Sequence, residues 1–164
     1  MRGMMLWLVL GLGATRPGSA QERQAPDFRP LEFLAGSCWV GTFPDGKATD
    51  EHCFDWVFDR KFLRDRHVVH GGLQPYQGET IYGMDPVAKQ LSFWYWNSDG
   101  DMMIGRVEYT PEGIVFPARY TTPKGDVEIK AVWTRAGSDA YRVVNSQRDG
   151  ADWKPLWSME LRRK

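Results

Sequence analysis

Residues 77–109, QGETIYGMDPVAKQLSFWYWNSDGDMMIGRVEY, constrain the fold more than any other stretch of this chain. Apolar and polar residues alternate in three runs, parted by Asp85-Pro86 and by Asn97-Ser98-Asp99-Gly100. Alternation at period two is a strand signal. Asp-Gly between two apolar runs signals a tight hairpin, because both central residues of a type I′ turn take positive φ. With Asp99-Gly100 as a two-residue loop, Trp96 is predicted to face Met103, Tyr95 to face Ile104 and Trp94 to face Gly105. The run Phe93-Trp94-Tyr95-Trp96 then carries large rings on both faces of one sheet, as expected of a wall packed on each side.

The same alternation recurs along the chain, predicting strands at 37–43, 49–58, 62–70, 77–84, 90–97, 102–109, 114–119, 126–134, 139–147 and 153–162. Turn residues separate them, among them Asp45-Gly46, Asp59-Arg60, Gly71-Gly72, Pro123-Lys124-Gly125 and Asp149-Gly150. Before the first strand, residues 31–36 suit one helical turn stopped by Gly36. Ten short strands joined in order describe an up-and-down meander, and closure removes its two unpaired edges. The expectation is therefore an all-β chain with one antiparallel barrel over 31–164; a sandwich of two five-stranded sheets is the alternative.

The N-terminus reads as an export signal: Arg2, an apolar run over 4–14, then Gly18-Ser19-Ala20 as a small-residue cleavage site. That run is about eleven residues, against roughly 20 needed to span a bilayer as a helix. Residues 1–20 are thus read as a removable signal and the polar, proline-bearing 21–30 as a flexible lead-in. The expected destination is the periplasm or the exterior, with no stable membrane anchor after cleavage. Such compartments permit disulfides. An Asp45-Gly46 loop places Cys38 opposite Cys53, at a hydrogen-bonded pair with Cα atoms about 5.5 Å apart. A bridge there is expected to contribute about 2–3 kcal/mol. Lys plus Arg and Asp plus Glu number 21 each, so no global field favours a nucleic-acid partner.

LEFLAGSCWVGTF at 31–43, a helical turn followed by Gly and Trp entering the first strand, resembles the opening signature of lipocalin-like (calycin) barrels. Gly36-Ser37-Cys38-Trp39 is one residue longer than the usual Gly-x-Trp. FDRKFLRDRHVV (58–69), YQGETIYGMDP (76–86) and FWYWNSDG (93–100) are similar to segments of an exported bacterial lipocalin-like group of unknown function. The resemblance implies a barrel with an interior suited to a small molecule, and no activity. It extends distantly to the nitrobindin-like barrels, which hold haem through a late-strand histidine. No histidine follows His70 here, so no haem and no other cofactor is expected.

The faces follow from hairpin arithmetic. Trp39, Gly41 and Phe43 share a face with His52, Phe54, Trp56 and Phe58, which is the apolar one and is turned inward. In the central triplet, Glu79, Ile81, Gly83, Trp94, Trp96, Met103, Gly105, Val107 and Tyr109 carry more apolar mass than the opposite face and are also turned inward. A three-residue turn after Phe58 would bring Arg64, Arg66 and Val68 inside, whereas a two-residue turn would select Leu63, Asp65, His67 and Val69. The first choice pairs an inward Arg66 with Glu79. The candidate ligand site is accordingly Arg66, Glu79, Trp56, Trp94, Trp96 and Met103, taking a small amphipathic or aromatic molecule.

Other chemistries have less support. His67 and His70 are three apart in a strand and point to opposite faces, so no metal site is expected. No Gly-x-Ser-x-Gly elbow is present. An isomerase or lyase using Glu79 as acid or base, with Arg66 or Tyr82 orienting the substrate, is the enzymatic alternative; binding alone requires fewer coincidences. A third is a solid barrel acting through an outer aromatic patch at Phe93 and Tyr95. The sequence gives no indication of oligomeric state.

Overall fold

The computed structural model describes residues 27–164, so the signal segment and most of the lead-in lie outside the described residues. One 3₁₀ turn, Arg29–Leu31, precedes the strands β1 (Ser37–Thr42), β2 (Thr49–Val57), β3 (Phe62–His70), β4 (Tyr76–Asp85), β5 (Gln90–Asn97) and β6 (Met102–Arg106). The remainder are β7 (Glu108–Thr110), β8 (Gly113–Thr122), β9 (Gly125–Arg135), β10 (Ala140–Asp149) and β11 (Asp152–Arg163). β6 and β7 both pair with β8 and are parted only at Val107, so they form one stave. Each stave pairs with the next in sequence, β11 returns to β1 and β6 meets β8, closing a ten-strand antiparallel barrel with no free edge. Among the described residues, no helix is long and apolar enough to cross a membrane.

One end of the barrel is stoppered. Phe28, Leu31 and Leu34, around the 3₁₀ turn, are buried against Trp39, Phe54 and Tyr141. The Trp39 indole N–H donates to the Leu34 carbonyl at 3.2 Å, and the Arg163 guanidinium of the last strand lies over the Trp39 ring at 4.4 Å. Phe28, at the end of the expected lead-in, is thus part of the stopper. Above it the rings of Phe116, Trp133 and Tyr141 pack with tilted planes, at centroid distances of 4.4 and 5.3 Å.

Cys38 and Cys53 are opposite one another and bonded, with Cα atoms 4.0 Å apart. The partners are those expected, but the hydrogen-bonding parity is not. Phe43 N–H donates to the Ala48 carbonyl, so the loop is the four residues 44–47. Proline at 44 has no N–H to close a two-residue loop, and moving closure outward by one pair converts Cys38·Cys53 to the closer, non-hydrogen-bonded kind of pair.

Two face assignments are corrected. Asn97 N–H donates to Asp101 O and Gly100 takes φ +84°, so the β5–β6 loop is the three residues Ser98-Asp99-Gly100. Tyr95 consequently faces Met103 and Trp96 faces Met102. That one-residue slip takes Met103, Gly105 and Val107 away from Trp94 and Trp96 and gives them to Phe93 and Tyr95. The apolar mass moves with them: Phe93 and Tyr95 are buried inside, while Trp96 stands 47% exposed on the outer wall. At β2–β3 the loop is the four residues 58–61, with left-handed backbone at Phe58, Asp59 and Arg60. An even loop has the parity of the two-residue alternative, so Leu63, Asp65, His67 and Val69 face inward and Arg64 and Arg66 outward.

Candidate functional site

Away from the stopper the barrel contains a cavity of about 550 Å³, walled by Phe93, Phe116, Trp133, Met103, Val143 and Trp157 among others. Among the described residues, no lysine or arginine lines it.

Its polar wall comes from two adjacent strands that each carry Asp-x-His on the inner face: Asp50 and His52 on β2, Asp65 and His67 on β3. Because His52 is directly opposite His67, the two imidazoles stack, with centroids 4.8 Å apart and planes 15° from parallel. His52 lies between carboxylates, Nδ1 at 2.8 Å from Asp65 Oδ2 and Nε2 at 3.2 Å from Asp50 Oδ2. Asp50 Oδ1 also meets His67 Nδ1 at 3.0 Å, and His67 Nε2 meets the Tyr95 hydroxyl at 3.2 Å. From there the bonds run on through Tyr76 (2.7 Å), Asn97 (3.1 Å) and Tyr120 (3.1 Å) to Asp101.

The orientation of the Asn97 amide in this chain is fixed by the backbone. Asn97 Oδ1 accepts the backbone N–H groups of Asp99 and Asp101, so its Nδ2 is the donor to both Tyr76 and Tyr120. At the other end His67 donates from Nδ1 to the ionised Asp50, and its Nε2 meets the hydroxyl that Tyr95 shares with Tyr76. His52, with a carboxylate at each nitrogen, donates from both and is an imidazolium. Burial alone would push the His52 pKa down, but the carboxylates of Asp65 and Asp50 outweigh it and hold it up at about 10. Burial likewise pushes the Asp50 carboxyl up, and its bonds to His52 and His67 bring it well below the ordinary range. Burial, together with the neighbouring Tyr76, pushes the Tyr95 hydroxyl far up, so it remains neutral.

Asp50, His52 and His67 also present ligand-capable atoms within 4.8 Å of one another. An ion bound by both imidazoles must lie in both ring planes, and two nearly parallel stacked rings share none; the observed arrangement suits protons better than a metal.

Of the six ligand residues expected from sequence, Met103 lines the cavity. Arg66 and Glu79 do face each other across β3 and β4, as expected, but on the outer wall, in the same row as Trp96; Trp94 is on that wall as well. Arg66 pairs with Asp55 at 2.9 Å. Trp56 is on the inner face but at the stoppered end, under the edge of Phe28 and the Arg60 guanidinium. The Asp/His quartet is split between two strands, so no single strand's spacing shows it. The usable signal was the repeated Asp-x-His at 50–52 and 65–67, which any even β2–β3 loop centred on Asp59-Arg60 sets side by side.

Neither a protein-family model nor a curated protein matches the chain.

Proposed function

We propose that this protein is an exported, lipocalin-like carrier or receptor for a small, mostly apolar molecule held inside the barrel. The observation that carries the reading is the cavity itself: a barrel stoppered at one end by Phe28, Leu31 and Leu34 retains about 550 Å³ at the other, within the range that encloses a small ligand. Its walls are aromatic and aliphatic, with the polar groups gathered on β2 and β3, which would orient an amphipathic guest. The Cys38–Cys53 bridge supports an oxidising destination, and the 3₁₀ turn leading to the buried Trp39 supports the lipocalin-like likeness.

Uptake of the neutral dye N-phenyl-1-naphthylamine, followed by its fluorescence, tests this. Ala131→Trp, which adds a ring to the cavity wall, is expected to weaken uptake several-fold, whereas Trp96→Ala and Arg66→Ala on the outer wall leave it unchanged. Equal uptake by Ala131→Trp, or no uptake by the native chain, would remove the reading.

The Asp50–His67–Tyr95 chain favours a second reading, acid–base turnover of the bound molecule, with these residues in place of the outward Glu79. It predicts a product whose formation is lost in His67→Gln while binding persists.

A further inference from the structure

Resting on the cavity reading above, the charges fix the chemical class of the guest. Asp50 and Asp65 are buried carboxylates, and His52, placed between them, is an imidazolium. Both carboxylates draw on that one imidazolium, in an apolar enclosure where carboxylate charge without a close partner is strongly disfavoured. No lysine or arginine among the described residues lines the cavity to offset it.

The place where that charge is open to a guest is also marked. Asp65 is 2% exposed and uses Oδ2 on His52, while its buried Oδ1 has no partner among the described residues. The fully buried Tyr141 hydroxyl is likewise without a partner, and both residues line the cavity. Around them stand the faces and edges of Tyr82, Phe93, Phe116 and Trp133. A carboxylate oxygen without a donor, a hydroxyl free to accept and a ring of aromatic π-faces are complementary to an alkylammonium. Its N–H groups would reach Asp65 Oδ1 and Tyr141, and its charge would be favoured by the rings. We propose that the cavity binds a cationic amphiphile, an aryl or alkyl amine whose ammonium head sits between Asp65 and Tyr141.

Calorimetric titration of the full chain with 4-phenylbutylamine, 4-phenylbutan-1-ol and 4-phenylbutanoate separates charge from shape. The amine is expected to bind about tenfold or more tighter than the alcohol, as a charge-assisted hydrogen bond predicts, and the acid weakest of all. Asp65→Asn, which replaces the open oxygen with an N–H donor, is expected to erase the preference for the amine over the alcohol. If that variant does not fold, the ranking on the native chain decides alone. An alcohol or acid that matches the amine overturns the inference and leaves ligand binding standing. A chain that takes none of the three and no N-phenyl-1-naphthylamine removes both. Titration with Zn²⁺ forms a separate arm: zinc that binds, displaces the amine and is lost in His67→Gln would assign the missing charge to a metal ion and overturn the ammonium reading.

Discussion

Asp50 receives two imidazole N–H groups, one on each oxygen, from His52 and His67, whose rings stack on one another. A pH dependence follows. Unfolded, His52 titrates near 6.5; folded, it is held up at about 10 by Asp65 and Asp50. Its contribution to stability is therefore complete below about pH 6.5 and declines as the pH rises through about 10. Asp50 behaves oppositely. Its folded pKa is depressed below the ordinary 3.8, so its contribution is present above that value and is lost on further acidification. Urea unfolding at pH 6, 8 and 10 should show a falling free energy in the native chain and a flatter profile in His52→Gln. A native profile level up to pH 10 would contradict the charged assignment.

The strands themselves carry a lesson about loop parity. Each predicted strand is present, with boundaries moved by a few residues at most, because alternation and turn chemistry are local signals. Which face of a strand looks inward is not local, since it depends on whether the preceding loop is odd or even. Asn97 draws the Asp99 and Asp101 N–H groups onto its side chain and makes the β5–β6 loop three residues, and three left-handed residues make β2–β3 four. Nothing in the apolar pattern of β3 chose between Arg64-Arg66 and Asp65-His67, since each option placed charge inside. Burial of charge was legible; its balance by His52 across the hairpin was not, because it needs the partner strand.

The strand β4 contributes by what it lacks. A Cβ placed on Gly78 would lie 2.5 Å from His67 Nε2 and 2.6 Å from the Tyr95 ring, so glycine there is what lets the two side chains bond over it. Gly78→Ala is expected to cost about 1–3 kcal/mol through overpacking, measured by denaturant unfolding, and to break the proton chain at His67–Tyr95. Unchanged stability would mean that the wall has slack the geometry does not suggest.

At the scale of the molecule, closure and stoppering serve one purpose. Eleven strand segments leave no edge, the 3₁₀ turn and the Arg163–Trp39 contact hold one end shut, and the cavity is left with a single chemically distinct wall. Half-exposed Leu156 on β11 lines the cavity, and fully exposed Leu73 stands in the β3–β4 loop between the lining residues Gly72 and Gln74. Native mass spectrometry of the full chain recovered from a producing cell, beside the same sample denatured and beside Ala131→Trp, tests that account most directly. It predicts an added small-molecule mass on the native chain that denaturation releases and that Ala131→Trp carries far less of. An added mass retained equally by Ala131→Trp, or native and denatured masses that agree in both chains, would contradict it.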